Sequence, residues 1–239
     1  MALPRCRQHY TGRYWFLLCF LLLTNLVPHC ECRADTRQSA ESLDIRVFQE
    51  INLQPGHRDA LDPTFLALMP LGTAKAGGIS LGLYTTGKLC DDAHMRRAGV
   101  LCAAALAVNA LLTEALKGTV GRRRPVEKLG DDRVRIIGER MADGRSFPSG
   151  HTSTAFAWAR ILSHFYPKSA LLFYGTAGSV GIGRVRLGAH YPSDVAAGAL
   201  TGFLAGQLVL DHQDLLLRGN PVGPGLNTSG AARAMDCRR

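Results

Sequence analysis

The stretch Phe147-Pro148-Ser149-Gly150-His151-Thr152 constrains the fold of this 239-residue chain more than any other. Pro148 drives Phe147 out of the helical region and into an extended conformation. Proline is itself at home in a first helical turn, where its missing N–H costs nothing. Gly150 lets the backbone approach a ligand with no Cβ in the way. The following run from Thr152 to Ala159 reads as helix. A helix therefore starts here, presenting first-turn N–H groups and a positive dipole end to any anion nearby. His151 would stand beside that anion, placed for proton transfer. The plain alternative is a helix start with a surface histidine, and the flanking segments decide between the two.

The rest of the chain supports an all-α class, a single helical bundle with its active site at helix ends. Leu43, Val47, Phe48 and Ile51 recur at helical spacing, which predicts an amphipathic helix around Ser42 to Asn52 within an N-terminal arm, residues 35–64. A core of residues 65–211 follows. Its first helix, Thr64 to Thr86, is interrupted by Pro70 and Gly72. Asp91-Asp92 then caps a helix that turns apolar from Ala98 to Leu116. Residues 118–147 are polar and read as a connection on the scale of an active site. Further helices are predicted at 151–166, 169–182 and 194–211, broken by Pro167 and by the segment Gly183 to Pro192. The tail, 212–239, reads as disordered. No strand-like alternation competes with this pattern.

Residues 1–34 read as a signal peptide. Arg5, Arg7 and Arg13 form a positive n-region, Trp15 to Val27 is almost wholly apolar, and Cys32 and Ala34 stand at −3 and −1 of a cleavage before Asp35. An uncleaved anchor is the alternative. An exported, periplasmic or cell-envelope protein follows, water-soluble or in peripheral contact with the membrane. Asn109, Glu114, Arg160 and His164 inside the apolar helices are costly in lipid and favour that reading. The alternative is an integral inner-membrane protein whose active site faces outward, with Arg96 and Arg97 on the inner side.

A formal net charge of +9 favours acidic partners. Nucleic acid is excluded, because no interleaving of aromatic and basic residues offers a stacking platform. Cys90, Cys102 and Cys237 show no metal-like spacing, and no cofactor is indicated.

Two further segments flank the helix start. Lys117 ends the apolar helix and is followed by Arg122-Arg123-Arg124-Pro125, and Arg184 precedes His190-Tyr191-Pro192-Ser193-Asp194. Taken singly, the lysine complements a helix dipole and the arginine run is a solvated one. Taken together, Lys117, Arg124 and Arg184 supply cations whose Arg forks match phosphate oxygens. Ser149 and Gly150 add backbone donors. His151 and His190 offer an acid and a nucleophile, and Asp194 could orient His190 through its second ring nitrogen. Such a set can transfer a phosphoryl group with no metal.

In order and spacing, Lys117-x6-Arg124-Pro125, Pro148-Ser149-Gly150-His151 and Arg184-x5-His190-x3-Asp194 resemble the three-part signature of the type 2 phosphatidic acid phosphatase / vanadium haloperoxidase superfamily, in its bacterial acid-phosphatase-like form. The resemblance covers about residues 90–211. Gly183 departs from it, since many members carry Ser before that Arg.

The resemblance implies that His190 attacks phosphorus, Asp194 holds its tautomer, and His151 protonates the leaving oxygen and then activates water. Lys117, Arg124, Ser149, Gly150 and Arg184 would bind the phosphate. It further implies an exported, metal-independent hydrolase of phosphomonoesters or diphosphates, inhibited by vanadate. Lipid phosphates and soluble phosphoesters both fit as substrates. A vanadate-dependent haloperoxidase and a non-catalytic phosphate or phospholipid binder are the other readings.

Overall fold

The computed structural model describes residues 34–52, 59–68, 75–130, 133, 134, 136 and 144–217. The chain divides into two compact units, 1–43 and 44–239. Residues 1–33 of the leader, Pro70, Gly72 and residues 218–239 of the tail lie outside the described residues, while the predicted cleavage bond Ala34–Asp35 falls at the start of the first described helix.

The elements, in chain order, are helices. They are α1 (Ala34–Asn52), α2 (Asp62–Leu68), α3 (Lys75–Leu89), α4 (Ala93–Val120), α5 (Pro125–Leu129), α6 (Gly150–Phe165), α7 (Ala170–Arg186), α8 (Pro192–Asp211) and α9 (Gln213–Leu217), with a single 3-10 turn at Pro167–Ser169. The protein is all-α, and among the described residues the only extended pairing is an isolated bridge between Arg123 and Arg145.

Local chemistry sets most of the boundaries. Asp92 caps α4, its carboxylate accepting from the N–H groups of His94 at 2.8 Å and Met95 at 3.0 Å. α4 ends at Gly121, which takes the left-handed φ of 58° and bonds back to the Lys117 carbonyl. The helix thus runs past Leu116 and carries Lys117 in its last turn.

α7 also outruns its expected end at residue 182. Gly183, expected to break the helix, lies within it, as does Gly181. A Cβ on Gly181 would meet Val195 at 2.8 Å, so this glycine serves close packing rather than a turn. Arg184 therefore sits in the last helical turn, not in a loop. The tail departs from expectation too: α9 extends to Leu217, which is buried in the main apolar cluster with Leu101, Trp158 and Ile161.

Packing centres on α6, which lies against α8, α4 and α7, while α3 lies along α4. The α6–α8 contact is backbone-close because Gly198, Gly202 and Gly206 form one stripe on α8 at four-residue spacing. A Cβ on Gly202 would stand 1.9 Å from the Ser153 carbonyl oxygen, and one on Gly198 2.6 Å from that of Ser149. Small residues at this spacing let helix backbones approach. Here they bring the start of α6 against the start of α8.

Candidate active site

The three segments singled out in sequence meet at one pole of the bundle. The polar connection closes on itself first. Ser146 N–H donates to the Arg122 carbonyl at 2.7 Å, next to the Arg123–Arg145 bridge. This lays Ser146 alongside the arginine run. The loop after α7 folds back over the helix end, with Gly188 at φ 77° and the Ala189 N–H donating to the Arg184 carbonyl at 3.0 Å. A side chain would strain that φ. His190 is delivered onto Ser146 and Arg124 by these two closures.

His190 is buried, and its two ring nitrogens have different partners. Nδ1 lies 2.7 Å from the Ser146 carbonyl oxygen, which can only accept. Nε2 lies 3.3 Å from Nη1 of Arg124, which can only donate. The proton is therefore on Nδ1 and the lone pair on Nε2. Burial, with the charges of Arg184 and Arg124 adding to it, pushes the His190 pKa well below its ordinary value.

Asp194 does not touch the His190 ring directly; its Oδ2 is 3.9 Å from Nδ1. Its carboxylate accepts from Ser146 Oγ at 2.5 Å, from the Tyr191 N–H at 2.9 Å and from Nη1 of Arg122 at 2.8 Å. The carboxylate thus acts on His190 through Ser146, a residue that sequence reasoning did not single out.

Arg124 and Arg184 are both only 5% exposed. Arg124 also donates to the Ala189 carbonyl at 3.0 Å. Lys117 pairs with Glu114 at 3.2 Å. His151, Gly150 and Lys117 line a cavity of about 380 Å³ that runs on towards Gly77, Leu106 and Ala110. Burial, and then the charges of Arg184, Arg124 and Lys117, lower the His151 pKa to about 3. That electrostatic signature shows the three cations and His151 sharing one neighbourhood.

Ser149 is placed differently from expectation. Its backbone N–H is committed to the Asp194 carbonyl at 3.0 Å, and its hydroxyl pairs with Thr152 Oγ1 at 2.9 Å. The Ser149 N–H thus ties α6 to α8. Gly150 opens α6, where first-turn N–H groups have no intrahelical acceptor.

Among the described residues, no three His, Cys, Asp or Glu side chains converge as a metal site. A helical bundle that gathers a lysine, two arginines and two histidines at one pole defines a phosphate-handling class. A family model described as the PAP2 superfamily matches residues 98–214, and the chain belongs to that superfamily.

Over 99 residues the chain is 36% identical to a lipid A 1-phosphatase of Rhizobium etli, a stretch forming 38% of this chain and 40% of that protein. It is 45% identical over 64 residues to the bacitracin transport permease protein BcrC of Bacillus licheniformis, 27% of this chain and 32% of the relative. The chain thus matches between 32% and 40% of the length of these two curated relatives. Among solved structures it resembles Aquifex aeolicus LpxE with a TM-score of 0.57 and 27% identity, covering 71% of this chain and 95% of that one. A transmembrane PAP2-type phosphatidylglycerolphosphate phosphatase from Bacillus subtilis shares the fold, with a TM-score of 0.58 at 24% identity over 86% of this chain and 98% of the other.

Proposed function

We propose that this protein is a membrane phosphatase that hydrolyses phosphorylated lipids, monoesters or diphosphates, through a phosphohistidine on His190. The observation that carries the reading is the Nε2 lone pair of a buried, neutral His190 set against Arg124, with Arg184 beside it. Binding alone would need the cations but not an imidazole with one tautomer locked by a backbone carbonyl.

Catalysis then runs as follows. A phosphate held by Lys117, Arg124 and Arg184 draws the Arg124 guanidinium onto its oxygens and releases Nε2. Nε2 attacks phosphorus as the ester P–O bond breaks, and the leaving oxygen takes a proton from His151. Burial first, and then the three cations, depress His151; the phosphate's negative charge opposes both and favours the protonated imidazole as substrate binds. His151 then removes a proton from water as that water attacks the phosphohistidine. Inorganic phosphate leaves and His190 is neutral again. Charge neutralisation by Lys117, Arg124 and Arg184 makes the chemistry metal-independent in this reading.

A lipid substrate is supported by the names of the relatives, which include lipid A 1- and 4′-phosphatases. The membrane setting is supported by the surface of the helices. α4 and α8 are long and apolar enough to cross a membrane, yet only 33% and 44% of their most apolar stretches are buried. A soluble core helix would be largely covered. Leu111 on α4 and Leu200 and Phe203 on α8 are among the exposed side chains. Lys117 and the start of α8 then lie at the outer face, and Arg96 and Arg97 at the inner one.

The test is phosphate release by detergent-solubilised protein from a phosphatidic acid, an isoprenyl diphosphate and a soluble aryl phosphate, with EDTA present and vanadate as inhibitor. Turnover in EDTA that vanadate blocks and that His190→Ala abolishes is the expected result. Binding of the same lipids with no release of phosphate would make the protein a binder. Recovery without detergent would return the exported soluble reading.

A further inference from the structure

We infer that the second half of α1, residues 44–52, is a positioning element of the active site, bracketing the loop that carries His190. The inference rests on the phosphohistidine reading for its kinetic consequence. It concerns residues outside the 98–214 match to the family.

Asp44, Phe48 and Asn52 recur every four residues and so share one face of the helix. Leu43 and Val47, expected in an apolar stripe, are instead exposed. The three residues of the buried face touch the loop at its two ends and its middle.

At the far end, Asp44 Oδ1 accepts from the Ser193 N–H at 3.0 Å, and Oδ2 accepts from Ser193 Oγ at 2.6 Å. That N–H is one of the first-turn donors of α8, so Asp44 caps α8 from another element. In the middle, the fully buried Phe48 ring packs on Tyr191 with centroids 5.4 Å apart. At the near end, the buried Asn52 donates from Nδ2 to the Arg186 carbonyl at 2.9 Å, where α7 stops.

The link to chemistry runs through Arg122. Its Nη2 pairs with Asp44 at 2.6 Å and its Nη1 with Asp194 at 2.8 Å. The guanidinium lies 4.1 Å over the Tyr191 ring. Asp194 in turn holds the Ser146 hydroxyl, and Ser146 holds His190 through its carbonyl. One arginine is thus shared by two carboxylates. Removing the charge of Asp44 leaves Asp194 to neutralise Arg122 alone, and the negative potential behind His190 weakens. The imidazole gains positive charge as it attacks phosphorus, so the attack should slow while phosphate binding, made by other residues, stays the same.

The experiment compares full-length wild type, Asp44→Asn, Asp44→Glu and Asn52→Ala in detergent micelles. Two readouts are taken on each, namely the ring signals of His190 in 15N-histidine NMR spectra and the burst of phosphoenzyme formed from a short-chain phosphatidic acid. Asp44→Asn should shift or broaden the His190 ring signals. It should also slow the rate constant of the burst roughly tenfold at saturating substrate, with the substrate concentration for half-maximal burst rate unchanged, and Asp44→Glu should recover part of the loss. Asn52→Ala, at the other end of the loop, should perturb the same signals and keeps the inference testable if Asp44→Asn does not fold. Unchanged His190 signals in folded variants, or a reduced burst amplitude at the wild-type rate per labelled site, would overturn the positioning role. A wild type with no phosphoenzyme would instead refute the phosphohistidine reading, and the NMR comparison would still decide the role of α1.

Discussion

The Nδ1 of His190 lies 2.7 Å from the backbone carbonyl oxygen of Ser146, whereas the Asp194 carboxylate is 3.9 Å away. A main-chain group therefore sets the tautomer, and the acidic residue acts on the segment that presents it. This relation changes what each neighbour contributes, and the following experiments separate those contributions.

Ser146→Ala removes the hydroxyl that Asp194 holds at 2.5 Å but keeps the carbonyl. A charge-assisted hydrogen bond of this kind contributes about 1.5–3 kcal/mol, so kcat should fall by roughly 10- to 100-fold. Asp194→Asn should fall by a similar factor. Because the Ser146 hydroxyl acts through its bond to Asp194, the double variant should be no worse than the poorer single one. Steady-state rates on one aryl phosphate give the cycle; additive losses would mean that Asp194 reaches His190 by another route.

His190→Ala and His151→Ala should fail differently. Without His190 no covalent intermediate forms, and turnover drops to background on every substrate. Without His151 the loss should depend on the leaving group, severe for an alkyl phosphate and milder for an activated aryl phosphate. The His151→Ala protein should also accumulate phosphoenzyme from the aryl substrate, since water activation needs the same imidazole. Rapid-quench labelling checks both; equal losses on the two leaving groups would be inconsistent with these roles.

The pH dependence follows from the sign of the shifts. His190 must be unprotonated to attack, and its pKa is lowered, so the nucleophile stays available well below the ordinary histidine range. kcat/KM should show no acid-side loss centred near pH 6.5. Stability has the same sign. For His151, lowered from 6.5 to about 3, the unfolded chain binds the proton first. Its contribution to stability is fully present above the unfolded value and is lost as pH falls through that window. Rate profiles and unfolding midpoints in one detergent buffer series test both statements.

Gly202→Ala places a Cβ 1.9 Å from the Ser153 carbonyl oxygen, a backbone atom that cannot swing aside. The helices α6 and α8 must separate, at a cost of about 1–3 kcal/mol. The same shift pulls Ser149 from Asp194, so activity should fall with stability. Gly178→Ala on α7 meets nothing within 4 Å and should leave both unchanged. Thermal unfolding in micelles, with activity measured on the same preparations, distinguishes the pair.

The helices were legible in the sequence where local chemistry sets them: Asp92 caps α4, and Gly150 opens α6 behind Ser149. Residue identity also marks the chemistry, because phosphate needs fixed cations and proton transfer needs imidazoles, and few other side chains serve. Local rules failed where packing overrode them. Gly183 reads as a breaker but lies buried within α7, one turn before the helix ends at Arg186. Leu217 reads as part of a tail but finds a place in the core.

Within the run Arg122-Arg123-Arg124 the spacing from Lys117 marks only Arg124, and nothing in the sequence separates Arg122 from Arg123. The structure does, because the chain there is extended and alternate side chains point the same way. Arg122 and Arg124 turn inward to Asp194 and His190, while Arg123 faces out beside its backbone bridge to Arg145. The Ser146 carbonyl had no signal at all, since every residue carries one. Sequence alone therefore determined which groups could do the chemistry. Only the tertiary fold decided which of them meet, because contacts between residues 44, 122, 146 and 194 depend on backbone paths that no local pattern encodes.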